Sequence, residues 1–286
     1  MGEKIYFITF GDSRMSVAAS RIKKQAEAIK LFDEIHILNE EDLAQDFRDK
    51  WSKLMKLGVR GFGYWCWKPY IIRRLLENVP ENSIVLYLDI GCHINPRGKK
   101  RLKYYISELH KDSLGIKAFP AYSPTLDVME KRWTKGSVFD YFNCRHRNDI
   151  TDSQQLATGH ILCKKTEKTV NFIQTWESIW ERNISLIDDS ISKTPNFPEF
   201  IENRHDQSIF SVLYKLGGGT PLPDKETDSS NFETMQDYPF WDLRDKGAKE
   251  KNIFIRVKKY LRSIYIRFRM KQEQLKKTQR NKIPKD

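Results

Sequence analysis

Two carboxylates stand out by position. Asp89 ends Ser83-Ile84-Val85-Leu86-Tyr87-Leu88, a run of β-formers and leucines that reads as a central strand. Open α/β sheets bind ligands outside the carboxyl ends of such strands, so Asp89 stands where a hard cation or a polar ligand would be held. Asp206, in Asn203-Arg204-His205-Asp206-Gln207, opens an apolar helix. A carboxylate there serves either as a helix cap or as a base. The segment Gly61-Phe62-Gly63-Tyr64-Trp65-Cys66-Trp67-Lys68-Pro69 is dense in aromatic side chains. A Trp67 face suits a nucleobase and the Lys68 ammonium suits a phosphate; the plainer alternative packs Trp65 and Trp67 in the core and leaves Lys68 a surface residue at a helix start. Gly159 would let backbone come close to a ligand, and His160 would reach its hydroxyls, although a lone histidine more often packs or hydrogen-bonds.

The elements that must position these residues begin with Lys4–Phe10 as a buried strand. A Gly11-Asp12-Ser13 turn follows, then a helix over residues 16–30 and a strand over 32–38. Such a β-α-β start implies a parallel sheet with helices packed on it. A helix is predicted over 70–77, strands over 114–119 and 159–164, and helices over 169–182 and 206–216. Gly217-Gly218-Gly219 stops the last of these, and residues 221–237 read as an irregular polar loop.

The chain has 286 residues, 39% hydrophobic, enough for one substantial core plus an appendage. Cys66, Cys92, Cys144 and Cys163 form no paired framework, which fits reduced thiols. The first residues turn polar too quickly for a signal peptide, and no apolar run approaches the roughly 18 residues a bilayer span needs. The net charge is +12, but residues 249–286 carry 14 Lys and Arg against three Asp and Glu, leaving 36 against 35 in residues 1–248. A nucleic-acid enzyme would carry its cations around the site, so nucleic acid is not the expected partner. The phosphate loops G-x-G-x-x-G and G-x-x-x-x-G-K-[ST] are both absent, which disfavours dinucleotide oxidoreductases and P-loop enzymes.

Over residues 4–245 the order and wording of these segments resemble bacterial GT-A glycosyltransferases of lipopolysaccharide and capsular polysaccharide biosynthesis. Tyr87-Leu88-Asp89-Ile90-Gly91-Cys92-His93-Ile94 resembles their D-x-D region, with Gly91 where the second carboxylate usually stands. Gly63–Ile72 resembles the segment that lines the nucleotide side of the cleft, Gln155–Leu162 a glycine-strand block, and His205-Asp206-Gln207 an H-D-Q segment. The resemblance implies a GT-A-like, Rossmann-type α/β fold, a mixed and mostly parallel sheet flanked by helices, in a catalytic domain of residues 1–248. It implies transfer of a sugar from a nucleotide-sugar donor, UDP-sugar favoured, to a hydroxyl of a lipid-linked cell-surface glycan. Donor contacts would come from Trp67, Lys68, Asp89, Gly91, Gly159 and His160, and Asp206 would be the catalytic carboxylate. Mn²⁺ or Mg²⁺ would sit on Asp89, with His93 the nearest substitute for the missing carboxylate. Lys135 and Arg244 are further candidates for phosphate. The alternatives are an inactive transferase-like scaffold, a nucleotidyltransferase or hydrolase acting on a nucleotide sugar, and, more distantly, a nucleic-acid-binding protein using its basic tail.

In that tail, residues 249–286, Phe254, Val257, Leu261, Ile264 and Phe268 recur at steps of three and four, with Lys258, Lys259 and Arg262 among the flanking cations. This is the pattern of a basic amphipathic helix lying on an anionic membrane surface, here expected at the inner face of the cell membrane. The alternative is that the apolar stripe docks on the catalytic domain.

Overall fold

The computed structural model describes residues 3–123, 126–227 and 235–247, together with Ile264 and Phe268. A five-stranded sheet is built from β1 (Ile5–Phe10), β2 (Glu34–Leu38), β3 (Ile84–Leu88), β5 (Ile116–Pro120) and β6 (Leu156–Lys164), in the order β2-β1-β3-β6-β5. β1 pairs in parallel with β2 and β3, whereas β6 runs antiparallel to both of its neighbours, β3 and β5. Four strands therefore point one way and β6 the other. A two-residue ribbon, β4 (His93–Ile94) with β7 (Phe240–Trp241), lies beyond the carboxyl end of β3.

Among the described residues, five long helices cover the sheet: α1 (Ser16–Ala28), α2 (Trp67–Asn78), α3 (Lys99–His110), α4 (Glu167–Arg182) and α5 (Asp206–Leu216). The period of two in a strand sorts β3 between two cores. Val85 and Tyr87 face α2, α4 and α5, while Ile84, Leu86 and Leu88 face α1 and α3. The result is a three-layer α/β architecture, mixed and mostly parallel, as the sequence predicted. The expected strand over 159–164 begins earlier, at Leu156, and crosses the sheet against the common direction.

Residues 235–247 are fastened to this body. Asn95 donates from its side chain to the carbonyls of Gln236 and Tyr238 at 2.7 and 3.0 Å. A Cβ on Gly98 would stand 2.3 Å from Pro239 Cα, so only glycine admits this approach. The expected irregular loop over 221–237 accordingly ends in a segment that folds back over the carboxyl end of β3. Of the tail residues, Phe254, Val257, Lys258, Lys259, Leu261 and Arg262 lie outside the described residues. Ile264 and Phe268 are helical and 44% and 57% exposed. Among the described residues no helix is long and apolar enough to cross a membrane.

Candidate active site

The same alternation that turns Leu88 toward α1 and α3 turns Tyr87 and Asp89 toward α2. Lys68 sits in the first turn of α2 and reaches both. Its ammonium lies 3.1 Å from Asp89 Oδ1 and 3.1 Å from Asp206 Oδ2. It donates to the Thr158 carbonyl at 3.0 Å and to the Thr158 hydroxyl at 3.2 Å. That hydroxyl in turn donates to Asp206 Oδ2 at 2.9 Å, and the Tyr87 hydroxyl donates to Asp89 Oδ1 at 2.6 Å. One buried cation therefore ties together two carboxylates 117 positions apart in the chain.

The side chains of Lys68 and Asp206 are 2% and 5% exposed, that of Asp89 39%. Asp206 is the inner carboxylate and Asp89 the outer one, open at the carboxyl end of the central strand β3. Burial pushes the Asp206 carboxyl above the usual range, against the pull of Lys68. Burial acts the same way on Asp89, but there the Lys68 charge and the Tyr87 hydroxyl outweigh it and hold the carboxyl below that range. Burial would lower Lys68, yet two carboxylates overcome it and keep the ammonium above its ordinary value. The environments separate the two acids, one favouring its proton and one shedding it.

The backbone around this cluster is strained. Gly61, Phe62, Gly63, Tyr64 and Trp65 all have positive φ, between 51° and 94°. Tyr64 N donates to Arg60 O and Trp65 N to Gly61 O, so the segment is a left-handed helical turn. Each of its three non-glycine residues costs about 1–2 kcal/mol in this conformation. Residues are held this way where the surroundings over-determine them, often at functional sites.

The order β2-β1-β3 provides the crevice. The chain leaves β1 for β2 on one side and returns to β3 on the other, and such a switch point opens a cleft at the carboxyl ends of the two strands. Gly11 lets the turn after β1 pass close to that after β3, since a Cβ there would meet Ile90 Cδ1 at 2.5 Å. Asp12 lies at the β1 end of the crevice, its carboxylate gripped by Arg14 Nε and Nη2 at 2.8 and 2.7 Å.

Several predicted contacts require correction. Trp67 cannot offer a face to a base: its ring packs on Phe10 at 4.1 Å, its indole donates to the Gly61 carbonyl, and it is 4% exposed. Lys68 is neither on the surface nor free for phosphate, because its ammonium is already enclosed by four oxygens. His160 is buried away from any sugar, its Nε2 3.4 Å from Cys92 Sγ and its ring between Phe119 and Phe240. Gly159 approaches Asp89: a Cβ there would lie 3.4 Å from Asp89 Oδ2, and its carbonyl accepts from Asp89 N at 2.8 Å. Gly91 is met by backbone, with Arg244 Cα 3.2 Å from where its Cβ would be, so a side chain there would need residues 244–245 to give by a few tenths of an ångström. Lys135 is 3% exposed and donates to the carbonyls of Ser185 and Asp188, tying down the loop between α4 and α5.

His93 has both ring nitrogens engaged, Nδ1 with Gln25 at 3.0 Å and Nε2 with Asp245 at 3.1 Å, so it is not a ligand in waiting. Among the described residues no three His, Cys, Asp or Glu side chains come together as a metal group. Asp89 keeps Oδ2 clear of Tyr87 and Lys68. That fits an ion held by one carboxylate and the oxygens of a phosphate ligand, the usual Mg²⁺ arrangement, and does not fit a cage made by the protein alone.

The sequence reading missed Tyr87 and Thr158 as members of the cluster. The signal for Tyr87 was its place two residues before Asp89 on one strand, which puts both on one face.

The chain matches no family model and no curated protein. Among solved structures it is similar to a glycosyltransferase involved in the glycosylation of the major capsid of PBCV-1, at 13% identity, covering 86% of this chain and 100% of that one, with a TM-score of 0.48. It is also similar to mouse xyloside xylosyltransferase 1, at 7% identity over 84% and 97%, TM-score 0.45. A third is the galactosyltransferase LgtC in complex with donor and acceptor sugar analogs, at 15% identity over 81% and 78%, TM-score 0.43. At these identities and scores the likenesses carry neither an activity nor a residue correspondence to this chain.

Proposed function

We propose that the chain is a glycosyltransferase that takes a sugar from a nucleotide-sugar donor, most readily a UDP-sugar, and passes it to a hydroxyl of a lipid-linked glycan. The observation that carries this reading is convergence. Of the four segments whose wording resembles bacterial GT-A transferases, 63–72, 87–94 and 205–207 supply Lys68, Asp89 and Asp206, and the Lys68 ammonium brings both carboxylates within hydrogen-bonding distance of itself at the carboxyl end of β3. The nucleotide would lie over the β1–β3 crevice, with the diphosphate toward Asp89. Asp89 would hold a Mn²⁺ or Mg²⁺ ion, whose positive charge would favour departure of the nucleoside diphosphate. Lys68 holds Asp89 anionic and fixes its direction. Asp206, the inner carboxylate, whose affinity for a proton burial raises, would serve either as the base for the acceptor hydroxyl or as the group facing an oxocarbenium-like centre.

The test is a panel of UDP-, GDP- and CMP-sugars incubated with the protein, with and without Mn²⁺, following release of free nucleotide. Release from one donor, faster with the ion, is expected. No binding or release from any donor, even with membrane lipid extract present as acceptor, would leave the inactive scaffold as the better reading.

The basic stretch 249–286 would keep the enzyme on the anionic inner face of the cell membrane, beside its acceptor. At about 1 kcal/mol for each cation near such a surface, together with an apolar stripe, attachment would be reversible. The full-length protein is expected to sediment with vesicles containing phosphatidylglycerol, to stay in solution with phosphatidylcholine alone, and to be released as salt rises. Equal partition onto both vesicle types would remove the electrostatic anchor.

A further inference from the structure

His205 immediately precedes Asp206 and has φ 58° and ψ −124°, a combination that glycine adopts readily and other residues avoid. Its side chain is 2% exposed. The ring stacks on Tyr64 at 5.1 Å and 30° and leans on Trp65 at 5.5 Å and 34°, both rings projecting from the left-handed turn at 61–65. Nδ1 bonds to the Ile187 carbonyl. A carbonyl only accepts, so Nδ1 carries the proton and the ring has one orientation. On the other side of the same step, Trp176 Nε1 donates to the Asp206 carbonyl at 3.2 Å. Two strained pieces of backbone, one three residues before Lys68 and one next to Asp206, are thus locked to each other through their side chains. The mechanism proposed above leaves this lock unused.

We propose that His205 is a positioning residue for Asp206. Clamped by Tyr64, Trp65 and the Ile187 carbonyl, it holds the backbone in the left-handed step from which α5 starts, and that step aims the Asp206 carboxylate at Lys68 and Thr158. Without the ring, neither the stacking nor the Ile187 bond holds residue 205 in this step, and its backbone is free to leave it. Asp206, one bond further on, would then turn with the peptide. The kinetic readout rests on the transferase reading, but the geometric readout does not.

The test compares His205→Ala, His205→Gly and His205→Phe, following nucleotide release, thermal unfolding, and the ¹³C carboxyl signal of Asp206, assigned through Asp206→Asn. In the alanine and glycine variants kcat is expected to fall about 10²-fold with KM little changed, as misplacement of a group by about 1 Å can cost, and the Asp206 signal is expected to move. Glycine tolerates positive φ without strain, so His205→Gly should lose less stability than His205→Ala, although loss of the buried ring costs both. Phenylalanine, which keeps the stacked ring, should recover most of the loss. Should the alanine variant fail to fold, the glycine and phenylalanine pair decides alone. An unmoved Asp206 signal in folded glycine variant, or turnover that falls only in step with stability, would overturn the proposal. If wild type releases nucleotide from no donor, the transferase reading fails separately, and the carboxyl signal still decides whether His205 positions Asp206.

Discussion

In an Asp89→Asn variant, donor turnover is expected to fall by about 10²–10³-fold, the usual cost of removing one preorganised electrostatic group from a reaction centre. The exchange keeps shape and keeps an oxygen to accept from the Tyr87 hydroxyl, which now donates at 2.6 Å. What disappears is the negative charge that burial resists and that Lys68 and Tyr87 maintain. Because the Asp89 side chain is 39% exposed, its ion pair with Lys68 is partly screened, and the loss of stability should stay near 1 kcal/mol or below. The variant should therefore fold as wild type by circular dichroism, lose turnover, and lose any stimulation by Mn²⁺. Turnover within threefold of wild type would mean that Asp89 only caps the turn to Cys92, whose N–H donates to its carbonyl at 2.8 Å.

A Lys68→Met variant should show the largest loss of stability, about 3–5 kcal/mol near neutral pH, because it removes the cation from a buried pair and leaves the carboxylates uncompensated. Asp206 is 5% exposed and already displaced upward by burial with Lys68 present. Without the ammonium its proton should be held more tightly still. A carboxyl whose folded pKa exceeds its unfolded one binds more protons in the folded state between the two values, so stability rises as pH falls through the folded value. Urea unfolding should accordingly find the variant further below wild type at pH 8 than at pH 5. Adding Asp206→Asn to Lys68→Met should recover part of the deficit, since the uncompensated charge is gone, a non-additivity expected of groups in direct contact. A variant within about 1 kcal/mol of wild type at both pH values would show that Lys68 does not hold the cluster together.

The chemistry-bearing positions were legible in the sequence wherever local pattern carried them. β1, α1, β2 and β3 follow from runs and periods in residues 4–38 and 83–89. Asp89 could be placed at a strand end because an apolar run stops there, and α5 begins at Asp206 because three polar residues precede its apolar face. The direction of β6 was not legible, because a run from Leu156 to Lys164 reads the same whichever way it crosses the sheet.

Burial was misjudged at Lys68 and Trp67 for a related reason. An ammonium is placed inside only when partners from elsewhere enclose it, and those partners, Asp89, Thr158 and Asp206, lie 21 to 138 positions away. The absence of a carboxylate at 91 looked like a missing ligand; the crowding of that position by residues 244–245 is something only the folded chain brings about. The positive φ values at 61–65 and at His205 have no sequence signal beyond Gly61 and Gly63, since Phe62, Tyr64, Trp65 and His205 all disfavour them. The sequence by itself thus determined which residues could do chemistry and which elements carry them, because apolar period and charge are local properties. Only the tertiary structure decided that Lys68 faces two carboxylates and that a strained backbone aims one of them, because enclosure and strain arise from contacts between segments distant in the chain.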